Sequence, residues 1–152
     1  TAVTKVNVNH RKDQNGLRRA IPVPDHAEVL CEMATGAILH LRFSEVMGLG
    51  PAPHMWLFGS EGTLKIDYDI FRNNDVELNR LWGGRRGDEC LSKINIPIED
   101  RGTWQVEEEF IGAIRGQGSI THTTFEDGVR YMELTEAVTR SAQSRTTVHL
   151  PL

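Results

Sequence analysis

Two segments of the chain carry side chains suited to binding a small molecule. A Gly- and Pro-rich loop over residues 44–54 ends at His54 and is followed by Trp56, which pairs a titratable ring with a flat apolar one. Such a loop commonly forms the rim of a ligand pocket, although a plain connection fits the same composition. Glu107 lies among apolar residues at helical spacing, where a carboxylate needs a partner. The alternative is a first-turn glutamate that reaches solvent and is favoured by the helix dipole. His54, Trp56 and Glu107 are therefore the candidate substrate-binding residues.

The sequence contains no complete catalytic, cofactor-binding or metal-binding motif. Gly48-Leu49-Gly50 comes nearest to a phosphate-binding loop, but Pro51 and Pro53 follow where a helix would have to begin. The six histidines are dispersed, and no pair has the spacing of a zinc site. We expect no catalytic, cofactor-binding or metal-ligating residue in these 152 residues.

The clearest structural signal is a β-hairpin over residues 27–43. Two apolar runs flank Ala34-Thr35-Gly36, which suits a three-residue loop with Gly36 in the left-handed conformation. That register places Val29 opposite Leu41 and gives the hairpin one wholly apolar face. A two-residue loop would mix charge into both faces, so the pattern selects the three-residue loop.

The opposite face of this hairpin is half apolar, which is unusual for a sheet face left in water. It is either covered by another subunit or a mixed, solvated surface. We expect it to form the contact of a homo-oligomer. The interface candidates are Glu28, Leu30, Glu32, Ile38, His40 and Arg42.

The remaining pattern places strands in the first two thirds of the chain and helices in the last third. A second hairpin is predicted around Gly59-Ser60-Glu61-Gly62, and Pro97 should mark an edge strand because it cannot donate to a ladder. These elements predict an α+β fold, with an open-faced, mainly antiparallel mixed sheet and helices on one face. Further strands are predicted over residues 3–8, 76–82, 91–98 and 146–150, a loop over 83–88, and helices over 104–116 and 125–144.

Composition and charge exclude several classes of protein. With 39% apolar and 25% charged residues and a net charge of −4, the chain lacks the dense cationic surface of a nucleic-acid binder. No apolar stretch approaches the ~20 residues of a membrane span. Cys31 and Cys90 are interpreted as reduced core residues, and no signal peptide is evident. We expect a cytoplasmic protein with neither nucleic-acid nor membrane partners.

Several short motifs follow one another along nearly the whole chain. They are Ala34-Thr35-Gly36-Ala37, Gly59-Ser60-Glu61-Gly62-Thr63-Leu64, Trp104 with Glu107, Phe110 and Ile114, Phe125-Glu126-Asp127-Gly128, Ser141-Ala142, and Val148-His149-Leu150. Their order resembles the C-terminal domain of the Gfo/Idh/MocA family of oxidoreductases. The resemblance implies an open sheet face that makes a subunit contact, and one wall of a site for a sugar, polyol or similar small alcohol. It also implies that the loop over residues 44–54 is where some members contact substrate.

By resemblance, residues 1–152 are one substrate-side and oligomerisation domain, and the family's N-terminal Rossmann domain with its NAD or NADP is absent from the chain. The family's Glu-Lys-Pro motif and its Asp-and-His helix have no match here, so no catalytic residue is carried over. We expect a parent NAD(P)-dependent oxidoreductase and an inactive isolated chain. The alternatives are an NAD-dependent glycoside hydrolase of the same family and a non-catalytic self-associating module.

Overall fold

The computed structural model describes residues 1–68, 80–102 and 104–152, and the chain divides into two compact units. Unit 1 comprises Thr1–Gly48 and Gln105–Leu152, and unit 2 comprises Leu49–Trp104. The described strands pair antiparallel, and both described α-helices belong to unit 1. The predicted α+β class is confirmed, with the strands divided among three sheets.

In unit 1, β4 lies between β1 and β5 in a three-stranded sheet, while β2 and β3 form a separate hairpin. The predicted three-residue loop is confirmed, because Val29 lies opposite Leu41 and Gly36 has a φ of 83°. A shift of one residue would have turned the apolar side chains to the other face. The strands are β1 (Ala2–Lys5), β2 (His10–Lys12), β3 (Arg18–Ala20), β4 (His26–Glu32) and β5 (Ile38–Ser44).

The long helix α2 (Phe125–Ser144) lies against one face of this sheet, on the edge strand β1. It begins at a capping box, in which Thr124 Oγ1 accepts from the Asp127 N–H at 3.2 Å. It packs on β1, where the Ala2 N–H donates to Ser141 Oγ at 2.9 Å. The buried apolar side chains of the described residues are Ala2, Val29 and Ala137. The face against which α2 lies is therefore the one opposite the predicted oligomer contact.

Both helices leave large apolar side chains in solvent. The helix α1 (Val106–Ile114) is two residues shorter at each end than its predicted range. The exposed side chains are Val106, Phe110, Ile111 and Ile114 on α1, and Phe125, Val129, Tyr131 and Met132 on α2.

Unit 2 is a four-stranded sheet in the order β6-β7-β8-β9. The second predicted hairpin is confirmed, with Phe58 opposite Thr63. Residues 69–79 lie outside the described part, so only the end of the predicted strand over 76–82 is tested. That strand continues to Arg85, through the first half of the predicted loop. The strands are β6 (His54–Phe58), β7 (Gly62–Asp67), β8 (Arg80–Arg85) and β9 (Ser92–Ile94).

Three further expectations differ from the structure or are sharpened by it. The edge strand predicted around Pro97 is β9, but it ends at Ile94, and a 3₁₀ turn over Ile98–Asp100 follows the proline. Cys90 is reduced but exposed rather than in the core, because it lies in the turn between β8 and β9. The strand predicted over 146–150 is wrong: within the described chain this segment has no ladder partner, and Ser141 Oγ donates to the Thr146 carbonyl instead.

Candidate functional site

One face of β6 carries the two candidate residues of unit 2. His54, Trp56 and Phe58 share this face because side chains alternate along a strand. His54 Nδ1 donates to the Ala52 carbonyl at 2.9 Å, which leaves Nε2 for a further hydrogen bond. The Trp56 and Phe58 rings stack with centroids 5.7 Å apart and an interplanar angle of 10°. The sequence-predicted pair thus belongs to a row of three rings.

Polar partners from β7 and β8 complete this face. Lys65 lies opposite Trp56 in the register, and its Nζ is 5.4 Å from the centroid of that ring. Asp67 accepts from Lys65 Nζ at 2.8 Å and from Trp82 Nε1 at 3.0 Å. The hydrogen bond from Lys65 is the main reason that the pKa of Asp67 lies below its ordinary value. Asp67 is therefore an ionised anchor that orients a lysine and a tryptophan on the same face.

A cleft opens at the turn end of this face. It has a volume of about 660 Å³, and its walls are the Trp56–Phe58 pair with the Gly59–Gly62 turn on one side and residues 84–91 on the other. Gly84 forms its floor, because it continues the row of Phe58 and Thr63 without a side chain. This volume falls in the range of small-molecule sites.

The predicted oligomer contact of unit 1 is an exposed face with one compact ionic cluster. Glu28 is contacted by His40 Nε2 at 2.8 Å, by Arg42 Nε at 2.5 Å and by His26 Nε2 at 3.4 Å. Partial burial raises the pKa of Glu28, but the hydrogen bonds from Arg42 and His40 outweigh it and lower the pKa below its ordinary value. The rest of the face is exposed: Val3, Leu30, Glu32 and Ile38.

The third candidate, Glu107, lies in unit 1 and is exposed in the first turn of α1. Glu109, on the same helix, is more buried than Glu107. Its side chain is 13% exposed; its Oε2 accepts from the Thr121 N–H at 3.1 Å, and its Oε1 lies 2.7 Å from His122 Nδ1. The Thr121 hydroxyl also donates to it. Glu109 thereby ties the loop between the helices back onto α1.

This clamp predicts a specific pH dependence. The hydrogen bond from the Thr121 hydroxyl is the main cause that lowers the pKa of Glu109 from 4.5 to about 2. Because the folded pKa is depressed, the stabilisation is present above pH 4.5 and is lost as the pH falls towards 2. We expect Glu109→Gln to lower the urea midpoint of unit 1 above pH 4.5 and to match the wild type near pH 2.

The measurement is urea unfolding followed by helical circular dichroism, which reports unit 1 because both described α-helices lie there. Glu108→Gln is the matched control in the same first turn, since Glu108 makes none of the contacts of Glu109. A Glu109→Gln difference that is the same at every pH would contradict the clamp.

Part of this arrangement is predictable from the sequence. His54 and Trp56 are the predicted pair, and Phe58 lies on the same face because side chains at residues 54, 56 and 58 alternate with the others of the strand. The position of Lys65 is also predictable, because the Gly59–Gly62 turn places it opposite Trp56 in the hairpin. Glu109 and Trp82 carried no local signal, since their partners are distant in sequence.

The described residues supply neither a metal site nor a dinucleotide site. Among them, no group of three or more His, Cys, Asp or Glu side chains could hold a metal ion. Their strand pairs are all antiparallel, so the described part has no βαβ unit, and Gly48-Leu49-Gly50 leads to no helix. The described part of the chain therefore contains no dinucleotide site of the Rossmann type. No helix in the described ranges is long and apolar enough to cross a membrane.

Comparison with known proteins places this fold among oxidoreductase structures. No family model and no curated protein matches the chain. A levoglucosan dehydrogenase solved with NADH and L-sorbose is similar over 99% of this chain and 44% of its own, with a TM-score of 0.75 and 19% identity. An NAD-binding oxidoreductase from Klebsiella pneumoniae is similar over 96% and 43%, with a TM-score of 0.71 and 18% identity. Levoglucosan dehydrogenase with NADH is similar over 95% and 42%, with a TM-score of 0.69 and 19% identity. The chain thus spans less than half of each of these proteins, and at these identities what it shares with them is the fold.

Proposed function

We propose that this chain is the C-terminal, substrate-side and oligomerisation domain of an NAD(P)-dependent oxidoreductase that acts on a sugar, polyol or similar small alcohol. The observation that carries the proposal is the fold likeness, which covers nearly all of this chain but less than half of each NAD-binding neighbour. The cofactor would be held by protein outside the described residues, since these contain no dinucleotide site of the Rossmann type. The exposed apolar side chains of α1 and α2 support a contact with such additional protein.

The face of β6 supplies the chemistry expected of a substrate wall. His54, whose Nδ1–H is hydrogen-bonded to the Ala52 carbonyl, presents Nε2 for a hydrogen bond with a hydroxyl group. Trp56 offers a flat apolar surface next to Lys65 and Asp67, which can donate to and accept from further hydroxyls. In this proposal these residues bind and orient the alcohol and leave hydride transfer to groups outside the described residues.

The test uses the complete product of the gene that encodes this chain. Its translated sequence should contain a Gly-rich dinucleotide fingerprint and a Glu-Lys-Pro motif, and the protein should reduce NAD or NADP with a sugar or polyol, followed by NADH absorbance. Glycoside hydrolysis without net change in NADH would favour the hydrolase alternative. Failure to observe fluorescence transfer on adding either NADH or NADPH would reject the oxidoreductase and favour a non-catalytic module.

The oligomer contact is proposed on the face of β1, β4 and β5 that α2 leaves open. Leu30 and Ile38 project from it and are 54% and 67% exposed. Glu28 already has its positive partners, so burying this part of the face would not strand an unpaired charge. In a two-fold contact the same patch meets itself, which suits a face that mixes both charges with apolar residues.

This proposal predicts that Leu30→Glu combined with Ile38→Lys leaves a folded protein of lower oligomeric state. Two charges placed in the centre of the contact would have to be buried, whereas the folded chain already exposes both positions. Sedimentation velocity measures the outcome. Leu17→Glu with Val23→Lys is the matched control, since these side chains are 56% and 66% exposed elsewhere in unit 1. An unchanged sedimentation coefficient of the first variant would remove this face as the contact.

A further inference from the structure

The cleft of unit 2 exists because glycine occupies two positions at the turn end of the sheet. A Cβ on Gly84 would lie 3.1 Å from Leu91 Cδ2 and 3.3 Å from the Cys90 carbonyl oxygen. A side chain at Gly84 would therefore displace Leu91 and the Cys90 carbonyl by a few tenths of an ångström, and glycine lets the segment over residues 86–91 lie this close to the sheet. Gly87, with a φ of 100°, turns this segment back towards β9. The result is a loop wall that stands opposite the aromatic wall of β6.

Internal hydrogen bonds hold the loop wall in place before any ligand arrives. Asp88 Oδ2 accepts from the Arg85 N–H at 2.8 Å, and the Asp88 N–H donates to the Arg85 carbonyl at 3.0 Å. The Arg86 N–H donates to the Glu61 carbonyl at 2.8 Å, which joins the loop to the β6–β7 turn. A preformed site loses less conformational entropy when it binds a ligand.

Phe58 is the more accessible of the two rings in the aromatic wall. Trp56 already contacts Phe58 and lies beneath Lys65 Nζ, so its ring is partly covered. Phe58 lies at the end of the row and is 77% exposed. A ligand ring that enters the cleft therefore meets Phe58 first, with Trp56 as its support.

The charges that line the cleft are balanced. Arg85 and Arg86 contribute two positive groups, and Asp88 and Glu89 contribute two negative ones. An anionic ligand would be attracted by the two guanidinium groups and repelled by the two carboxylates. The hydroxyls of a neutral polyhydroxylated ring could accept hydrogen bonds from the guanidinium groups and donate hydrogen bonds to the carboxylates. A purely hydrocarbon ligand would remove water from four charged groups and offer them no hydrogen bond in its place.

We propose that this cleft binds a neutral pyranose-like carbohydrate, with the C–H face of its ring stacked on Phe58 and its hydroxyls hydrogen-bonded to the loop over residues 85–89. This site would specify the sugar-like substrate of the proposed oxidoreductase, and its role in an enzyme rests on that proposed function. The binding itself requires only the residues of this cleft. It assigns roles to Phe58 and to the β8–β9 loop, which are separate from the start of β6 where His54 lies.

The test is a titration of the ¹⁵N-labelled 152-residue chain with methyl glucopyranoside, methyl galactopyranoside and methyl mannopyranoside. At least one should shift the amide signals of residues 58–63 and 85–91 selectively. Phe58→Ala should weaken that binding by about tenfold, the effect of losing one aromatic contact. Phe58→Leu should weaken it similarly, because leucine keeps the apolar volume but not the flat face.

Phe125→Ala is the matched control, because Phe125 is 79% exposed on α2 in unit 1 and should not affect binding. The proposal is overturned if no pyranoside shifts these signals in the folded chain, if Phe58→Ala binds as well as the wild type, or if glucuronate binds in preference to the neutral sugars. No nicotinamide is present in this titration. A negative result therefore rejects the cleft alone, whereas failure of the NADH assay rejects the oxidoreductase alone.

Discussion

Gly62→Ala is expected to destabilise unit 2 by about 1–3 kcal/mol, the usual cost of forcing an extra carbon into a packed position. Gly62 begins β7 and lies opposite Arg85 of β8. A Cβ at this position would overlap the Gly84 carbonyl oxygen and come within 3.1 Å of Arg85 Cα. Both obstacles are backbone atoms, so relief requires the two strands to separate rather than a side chain to rotate.

Tryptophan fluorescence during urea unfolding measures this effect, because Trp56, Trp82 and Trp104 all belong to unit 2. Gly59→Ala is the matched control in the same turn, since a Cβ there meets only the Gly62 carbonyl oxygen at an ordinary 3.5 Å. We expect the control to unfold at nearly the wild-type urea concentration. Equal midpoints for Gly62→Ala and Gly59→Ala would show that the close approach of β7 and β8 is not as described.

Ser141→Ala is expected to destabilise unit 1 by about 1–3 kcal/mol, the cost of leaving buried polar groups without partners. Ser141 is buried, and its hydroxyl accepts from the Ala2 N–H at 2.9 Å and donates to the Thr146 carbonyl at 2.7 Å. One side chain thus joins the first strand, the last helix and the segment that follows it. Alanine fits the space but satisfies neither backbone group.

Helical circular dichroism during urea unfolding measures this second effect, because both described α-helices lie in unit 1. Ser144→Ala is the control, since its hydroxyl makes comparable bonds to Arg140 and Thr146 at the surface. We expect that control to stay within about 0.5 kcal/mol of the wild type. A comparable loss in both variants would contradict a special role for the buried hydroxyl.

The hairpin over residues 27–43 shows how far a local pattern can determine structure. Its register followed from the alternation of apolar residues and the loop glycine, because only this pairing gives the hairpin one wholly apolar face. The start of α2 was equally predictable, since the capping box at Thr124 and Asp127 is a contact between residues three apart. Contacts of this kind can be predicted from the sequence because both partners lie close together in the chain.

The predicted strand over residues 146–150 failed for the opposite reason. Its alternation was correct for a strand, but a strand also needs an edge to pair with, and that is a property of the assembled fold. The helix α2 shows the same limit: helical spacing places Tyr131, Leu134 and Val138 on one apolar face. Tyr131 is nevertheless exposed, whereas Ala137 and Ser141 are buried. Helical periodicity predicts which face of a helix is apolar, but not which part of that face packs against the sheet.

The amino-acid sequence by itself determined the α+β class, the two hairpins, the helices and the candidate pair His54 and Trp56, because each depends on residues close together in the chain. Only the tertiary structure decided what surrounds them. In the tertiary structure Trp82 donates a hydrogen bond to Asp67, and Glu109 accepts hydrogen bonds from the segment at Thr121 and His122. The loop over residues 85–91 lies over Gly84 and faces Phe58. These contacts join residues that are distant in sequence, and their geometry depends on strand order and loop path, which no local pattern specifies.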